Sequence, residues 1–416
     1  MYEKIILPNG VRVVADKMQA VRTASLGVFV GVGCRHESAE LSGASHFIEH
    51  MAFKGTSTRS AEQLAQFIDS AGGNVNAYTS NHLTCFHGKV VDSRLSEFAE
   101  VLGDMTLNSS IADSDVDSER HVIHEEIDMY EDSPENVASE RLFGAVYSNS
   151  SLGRSILGTH ESLEGLDSRT LLDFMRRSYV GDSMVISLAG NFSDTDLHGV
   201  CDVFSQFPAG SAAGFDNALY APQFVATTKD IEQSHLVLAL PSVGMHDPRR
   251  YAMVMLSDIL GAGVSSRLFQ EVRERRGLCY SIYSQVSSFS DTGLLTIATA
   301  TNPESQEKML ETIVEVIRQL LNDGITEAEL QRERELVSAS ILMSLESSSS
   351  RMARAGNNEL SYGKLTTPDE AIAKFEAVTI QDIADIAAET LRREALSASL
   401  VGKNVSVANL LDIPAW

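Results

Sequence analysis

Three side chains near the start of the chain have the types and spacing of a metal-assisted hydrolytic centre. His46-Phe47-Ile48-Glu49-His50 reads as H-x-x-E-H. On a helix, His46 and His50 sit one turn apart on one face, an arrangement in which two imidazoles can bind a single Zn²⁺. Glu49 falls on the same broad face, three residues past His46. A carboxylate there is placed to act on a metal-bound water, whose pKa zinc lowers to about 7, rather than to bind the metal. Phe47, Ile48, Met51 and Phe53 give the same segment an apolar face for a core. The bland alternative is a pair of ordinary buried histidines. Two histidines and a glutamate on so apolar a helix would be costly to bury without partners.

A catalytic zinc site needs a third protein ligand and one open position. A second acidic helix, predicted over Asp113 to Tyr130, offers Glu119, Glu125 and Glu126. Glu119 and Glu126 are two turns apart and share a face, whereas Glu125 points about 100° away from Glu126. His121 and His124 lie nearby, and spacing alone leaves all five open. An acidic helix is also commonly just a solvated surface.

The elements that must hold these residues read as follows. Val11 to Ala15 and Ala24 to Val32 are β-branched, alternating strands, with Asn9-Gly10 a turn. Gly43 to Phe53 is helical. A second helix runs from an N-cap at Ser60 to Ala71 and stops at Gly72-Gly73. Asn74 to Thr79 and Leu83 to Val90 are strands, and Arg94 to Leu107 is an amphipathic helix. Phe207 to Pro222 is small and polar and reads as a linker, after which His235 begins a new strand. At an offset of 214 residues, Leu107-Asn108 falls on Leu321-Asn322, Ile111 on Ile325 and Glu119-Arg120 on Glu333-Arg334, but Glu126 falls on Ser340. The second half therefore reads as a copy that keeps packing positions and loses a carboxylate. The expected fold is α+β: two similar domains related by duplication, each a mostly antiparallel sheet with helices on one face. The first spans 1–212, the linker 213–224, and the second 225–416.

Composition narrows the function classes. The 416 residues suit two domains, and 43% apolar content supplies a core for each. A net charge of −24 argues against nucleic acid; it would suit basic or unstructured peptides as partners, but plain solubility is the simpler reading and charge alone does not choose. The four cysteines, Cys34, Cys85, Cys201 and Cys279, form no CxxC pair, which argues against a cysteine zinc site and for reduced thiols. No segment reads as a signal peptide or membrane span, so a cytoplasmic location is expected.

Several stretches resemble the inverzincin peptidases of the pitrilysin and insulinase family, most of all the mitochondrial processing peptidase β-subunit and its bacterial relatives. They are Gly43–Thr56 (GASHFIEHMAFKGT), Gly73–Ser80 (GNVNAYTS), Glu119–Ile127 (ERHVIHEEI) and Leu152–Gly158 (LGRSILG). The resemblance implies one zinc per chain, with Glu126, 76 residues past His50, as third ligand and Glu119 supporting the site. It implies that Asn74 to Thr79 is an edge strand to which an extended peptide adds, through Asn76 and Ala77. Arg273-Glu-Arg-Arg-Gly-Leu-Cys-Tyr280 resembles the family's Arg/Tyr pair, with Arg273 holding a substrate carbonyl and Tyr280 stabilising the oxyanion. It further implies a peptidase with Glu49 as general base, working as a homodimer whose four domains enclose a chamber. Non-catalytic scaffold or partner subunits also occur in the family, and a metal-binding protein without peptidase activity is a third possibility. Two departures, His82 and Phe86, bear on substrate preference rather than on zinc.

Overall fold

The computed structural model describes residues 2–72 and 74–416, with the backbone alone at Asn74. Gly73, half of the predicted Gly72-Gly73 stop, lies outside the described residues. The chain forms two compact units, and neither is contiguous in sequence. One comprises Met1–Ile127, Arg154–Asp216 and Leu342–Thr366; the other Asp128–Gly153, Asn217–Ile341 and Thr367–Trp416.

The first unit is built on six strands: β1 (Tyr2–Ile6), β2 (Arg12–Lys17), β3 (Thr23–Val30), β4 (Asn74–Thr79), β5 (Thr84–Val91) and β6 (Met184–Gly190). Their order is β1-β2-β6-β3-β5-β4. All neighbours are antiparallel except β2 and β6. One face carries Val13, Ala15, Leu26, Val28, Val30 and Ile186. Against it pack apolar side chains of α1 (Ala44–Met51), α2 (Ala61–Ser70), α3 (Leu95–Leu107) and α4 (Asp113–Asp132), among them Phe47, Leu64, Phe98 and Ile123. β3 and β6 are buried almost throughout because the opposite face is covered too. There the helix Ser348–Tyr362 lays Met352 and Ala355 on Val14, Phe29, Cys85 and Val185. Gly356 makes this close approach possible: a Cβ at that position would stand 2.2 Å from Phe29 Cε2. Polar groups trapped in this layer are paired, Ser187 donating to the Met352 carbonyl at 2.7 Å and Ser25 sharing a hydrogen bond with Ser348 at 2.9 Å. Glu359, fully buried, is met by Lys4 at 2.7 Å and Arg12 at 3.5 Å.

The second unit has five strands: β7 (Phe224–Thr228), β8 (Ser234–Ser242), β9 (Ile282–Ser288), β10 (Gly293–Thr301) and β11 (Ser397–Gly402), in the order β7-β11-β8-β10-β9. This repeats β2-β6-β3-β5-β4, including the single parallel pair. Its second face is covered by α5 (Pro134–Val146), whose Val137, Ala138, Leu142 and Val146 sit among Val237, Ala239, Ala298 and Val401. Each unit thus takes its covering helix from the opposite half of the sequence. The two helices begin at Pro134 and Ser348, the same 214-residue offset that relates the halves. The two-domain, mostly antiparallel α+β reading therefore holds, with one helix added on the second face of each sheet. Residues 209–223 carry no helix or strand. All four cysteines are free. No helix among the described residues is long and apolar enough to cross a membrane.

Candidate metal centre

The motif helix is fixed by what it buries and by how it starts. Phe47, Ile48 and Met51 of α1 are essentially inaccessible. Gly43 enters the helix at φ +95°, where a side chain would be strained. The Glu37 carboxylate accepts the N–H groups of Gly43 and Ser45 at 2.8 and 2.7 Å, satisfying donors at a helix start. The histidines are thereby turned towards α4. Their rings stand edge to face, 4.5 Å between centroids. His46 Nε2 and His50 Nε2 are each 3.6 Å from Glu126 Oε2. One ligand atom from each of the three residues falls within 4.8 Å of the others.

These separations suit a shared cation better than direct hydrogen bonds. They exceed the usual 2.7–3.2 Å of an N–H···O bond. Four ligands at about 2.0–2.1 Å around tetrahedral zinc stand roughly 3.4 Å apart, close to what is seen. Two imidazoles and one carboxylate are also a donor set of catalytic zinc sites, which keep the fourth position for water or substrate. His46 is brought down to about 4, by burial first and by the neighbouring His50 second. Its imidazole is therefore neutral, as a ligand must be. Among the described residues its buried Nδ1 meets no hydrogen-bond partner.

A second layer of partners orients His50. Its Nδ1 lies 2.9 Å from Glu119 Oε1, and the other Glu119 oxygen is ion-paired with Lys54. Burial alone would push Glu119 up, but the bonds from Lys54 and His50 outweigh it and hold the carboxyl below its ordinary value. An ionised Glu119 only accepts, so His50 Nδ1 carries the proton and Nε2 is left for a metal. Glu126 is likewise lowered, first by His50, with burial opposing. Glu49 stands apart from the three-residue cluster. Its Oε2 accepts a 2.6 Å hydrogen bond from Thr79 Oγ1. Burial raises its carboxyl, with the Thr79 bond acting against the shift.

The residues left open by spacing go elsewhere. Glu125 and His121 are exposed, and His121 Nδ1 lies 2.8 Å from the Asp117 carbonyl. His124 faces His160 at 4.6 Å and Glu164 at 4.0 Å. β4 is an edge strand, paired with β5 on one side. Ala77 and Thr79 share the face of the strand towards α1, while Asn76 is exposed on the other face. The Asn76 carboxamide oxygen accepts its neighbour Ala77's N–H at 2.9 Å. Phe86, buried, pairs across from Ala77, and His82 packs on Phe215 at 5.4 Å. Arg273 and Tyr280 belong to the second unit, not to the unit carrying the histidines. Arg273 lies on the π-helical turn Phe269–Arg275, its guanidinium 4.5 Å from the Phe269 ring and 5.1 Å from that of Tyr280. Tyr280 is 82% exposed.

Lys54 and Thr79 were missed by reading the sequence. Lys54 follows His50 by four residues, a spacing that could have flagged it, and Thr79 alternates with Ala77 along β4.

Residues 12–160 match the family described as insulinase (peptidase family M16), and residues 165–337 match the peptidase M16 inactive domain. An uncharacterized zinc protease of Bacillus subtilis is 41% identical over 93% of this chain and 95% of its own. One of Mycobacterium leprae is 37% identical over 97% and 92%. A peptidase M16 inactive domain structure from Pseudomonas fluorescens superposes with TM-score 0.91 at 18% identity, covering 98% of both chains. A chain of complex III2 from Candida albicans superposes with TM-score 0.84 at 19% identity, covering 99% of this chain and 97% of that one. At those identities the superpositions speak for the fold alone. With sequence relatives along nearly its whole length and one H-x-x-E-H helix facing a glutamate, the chain belongs to the insulinase (M16) peptidase family.

Proposed function

We propose that this protein is a zinc-dependent endopeptidase that cleaves peptides or unfolded segments, the three-residue cluster of His46, His50 and Glu126 beside Glu49 being the observation that carries the reading. His46, His50 and Glu126 would hold the zinc. When bound there, zinc would act as a Lewis acid on a carbonyl and lower the pKa of water. Glu49 takes the water proton and later delivers it to the departing amine. Glu119, neutralised by Lys54, keeps His50 in the tautomer and orientation that ligation needs.

Substrate handling rests on β4. Its open edge lets an extended peptide add as a further strand, through the backbone at Asn76 and Ala77. The Ala77 N–H, now held by the Asn76 side chain, would turn to the peptide. Arg273 and Tyr280 take the carbonyl-binding and oxyanion-stabilising roles that family resemblance gives them. The 214-residue offset supports a sequence duplication relating 1–212 to 225–416, and the resemblance supports a homodimer that encloses its substrate, which sedimentation at working concentration tests. The net charge of −24 favours basic substrates.

The competing reading is a non-catalytic partner subunit, a role that the family resemblance also offers. Zinc content and cleavage of a quenched basic peptide, with and without chelator, separate the two. Peptidase action requires chelator-sensitive cleavage that Glu49→Gln abolishes. One bound zinc with no cleavage of a mixed peptide library would leave the partner subunit standing.

A further inference from the structure

Resting on the peptidase reading above, we infer that Thr79 is a positioning residue that fixes the Glu49 carboxylate and ties it to the strand along which the substrate lies. The Thr79 hydroxyl donates to Glu49 Oε2 at 2.6 Å, the short end for an O–H···O⁻ bond. It occupies one carboxylate oxygen and leaves the other to accept a proton. Without it, the side chain of Glu49 could rotate about three bonds at the end of α1.

Thr79 is well anchored for this role. It ends β4, opposite Thr84 of β5. Thr84 is buried and donates to the Val32 carbonyl at 3.0 Å. The next N–H, of Ser80, donates to the Leu83 carbonyl at 2.8 Å and closes the turn between the strands. A β-branched side chain has a restricted χ1, so a fixed backbone fixes the direction of the hydroxyl. Ala77, two residues earlier on the same strand face, is the proposed point of substrate addition. One strand therefore sets the register of both the peptide and its general base. A peptide seated on β4 is aligned with Glu49 without any rearrangement of α1.

The test compares Thr79→Val, which keeps the shape and removes the hydroxyl, with Thr79→Ser, which keeps the hydroxyl. Thr79→Val should lower kcat about tenfold to a hundredfold, the scale of a misplaced reacting group. KM, zinc content and Tm should stay near wild type, and Thr79→Ser should recover most of kcat. Full kcat in Thr79→Val, a rise in KM alone, or equal losses in both variants would overturn the inference. Wild type that cleaves nothing, or Glu49→Gln that cleaves normally, would instead strike the peptidase reading. Crystal structures of the variants test the positioning without turnover. Glu49 should hold one orientation in wild type and Thr79→Ser and leave it in Thr79→Val; an unmoved Glu49 in Thr79→Val overturns the inference by itself.

Discussion

Replacing Glu119 by Gln should weaken zinc binding without touching any ligand. Glu119 is 5% exposed, and its two oxygens serve two donors, the neutral His50 through Nδ1 at 2.9 Å and the Lys54 ammonium by an ion pair. An amide keeps the shape, but it offers one weak acceptor and turns a donor group towards one of these two partners. A hydrogen bond to a charged group contributes roughly 1.5–3 kcal/mol. Losing its charge therefore removes on the order of 1.4–2.7 kcal/mol from the orientation of His50, equivalent to about tenfold to a hundredfold in metal affinity. Lys54→Met should weaken binding in the same direction and by less, since Glu119 would still accept from His50. The pair in one chain should cost less than the sum of the two, because both act through a single carboxylate. The assay is competition with a zinc-chelating indicator at pH 7 on folded protein, with Glu126→Gln as the reference for loss of a ligand. Glu119→Gln with the wild-type zinc Kd would refute the proposed coupling of Glu119 to the metal.

Other outcomes follow from particular contacts. Glu49→Gln should retain one zinc per chain and lose about 10²–10⁴ in kcat, read by metal analysis and peptide cleavage on the same sample. Gly356→Ala should lower stability by roughly 1–3 kcal/mol, because its methyl would meet Phe29 at 2.2 Å; an unchanged Tm would contradict the tight contact of that helix with the sheet. In the second unit, burial raises Asp258 to about 6, and burial together with the Asp258 charge raises Glu333 to about 7. Folded-state values above the unfolded ones mean that the native protein binds these protons more tightly. Their stabilisation is complete below about pH 4 and is lost as pH rises through 6 to 7. The Tm of Glu333→Gln should accordingly gain on that of wild type between pH 5 and 8, and a difference independent of pH would refute the shift.

How much of this the sequence shows depends on whether a relation is local. Helical spacing alone puts His46 and His50 on one face, and the 3.6-residue period says that Glu119 and Glu126 look the same way. It does not say which of the two reaches the histidines, because both answers share that periodicity. The family resemblance singles out Glu126, and the structure places Glu126 against both Nε2 atoms, with Glu119 behind His50. Thr79 was beyond local reasoning: alternation gives the face it occupies, but its partner lies thirty residues away on a helix. The exchanged helices Pro134–Val146 and Ser348–Tyr362 are harder still. Nothing in an amphipathic pattern states which sheet the apolar side of a helix will cover. The duplication carried the hint, since both helices begin at corresponding positions. Arg273 sits on a π-helical turn, a departure from the regular period that side-chain pattern does not reveal.

Anomalous diffraction at the zinc absorption edge, on crystals of the metal-loaded protein, tests the central claim most directly. The account predicts one strong peak per chain, within ligand distance of His46 Nε2, His50 Nε2 and the Glu126 carboxylate. A peak elsewhere, or one that Glu126 does not touch, would contradict it.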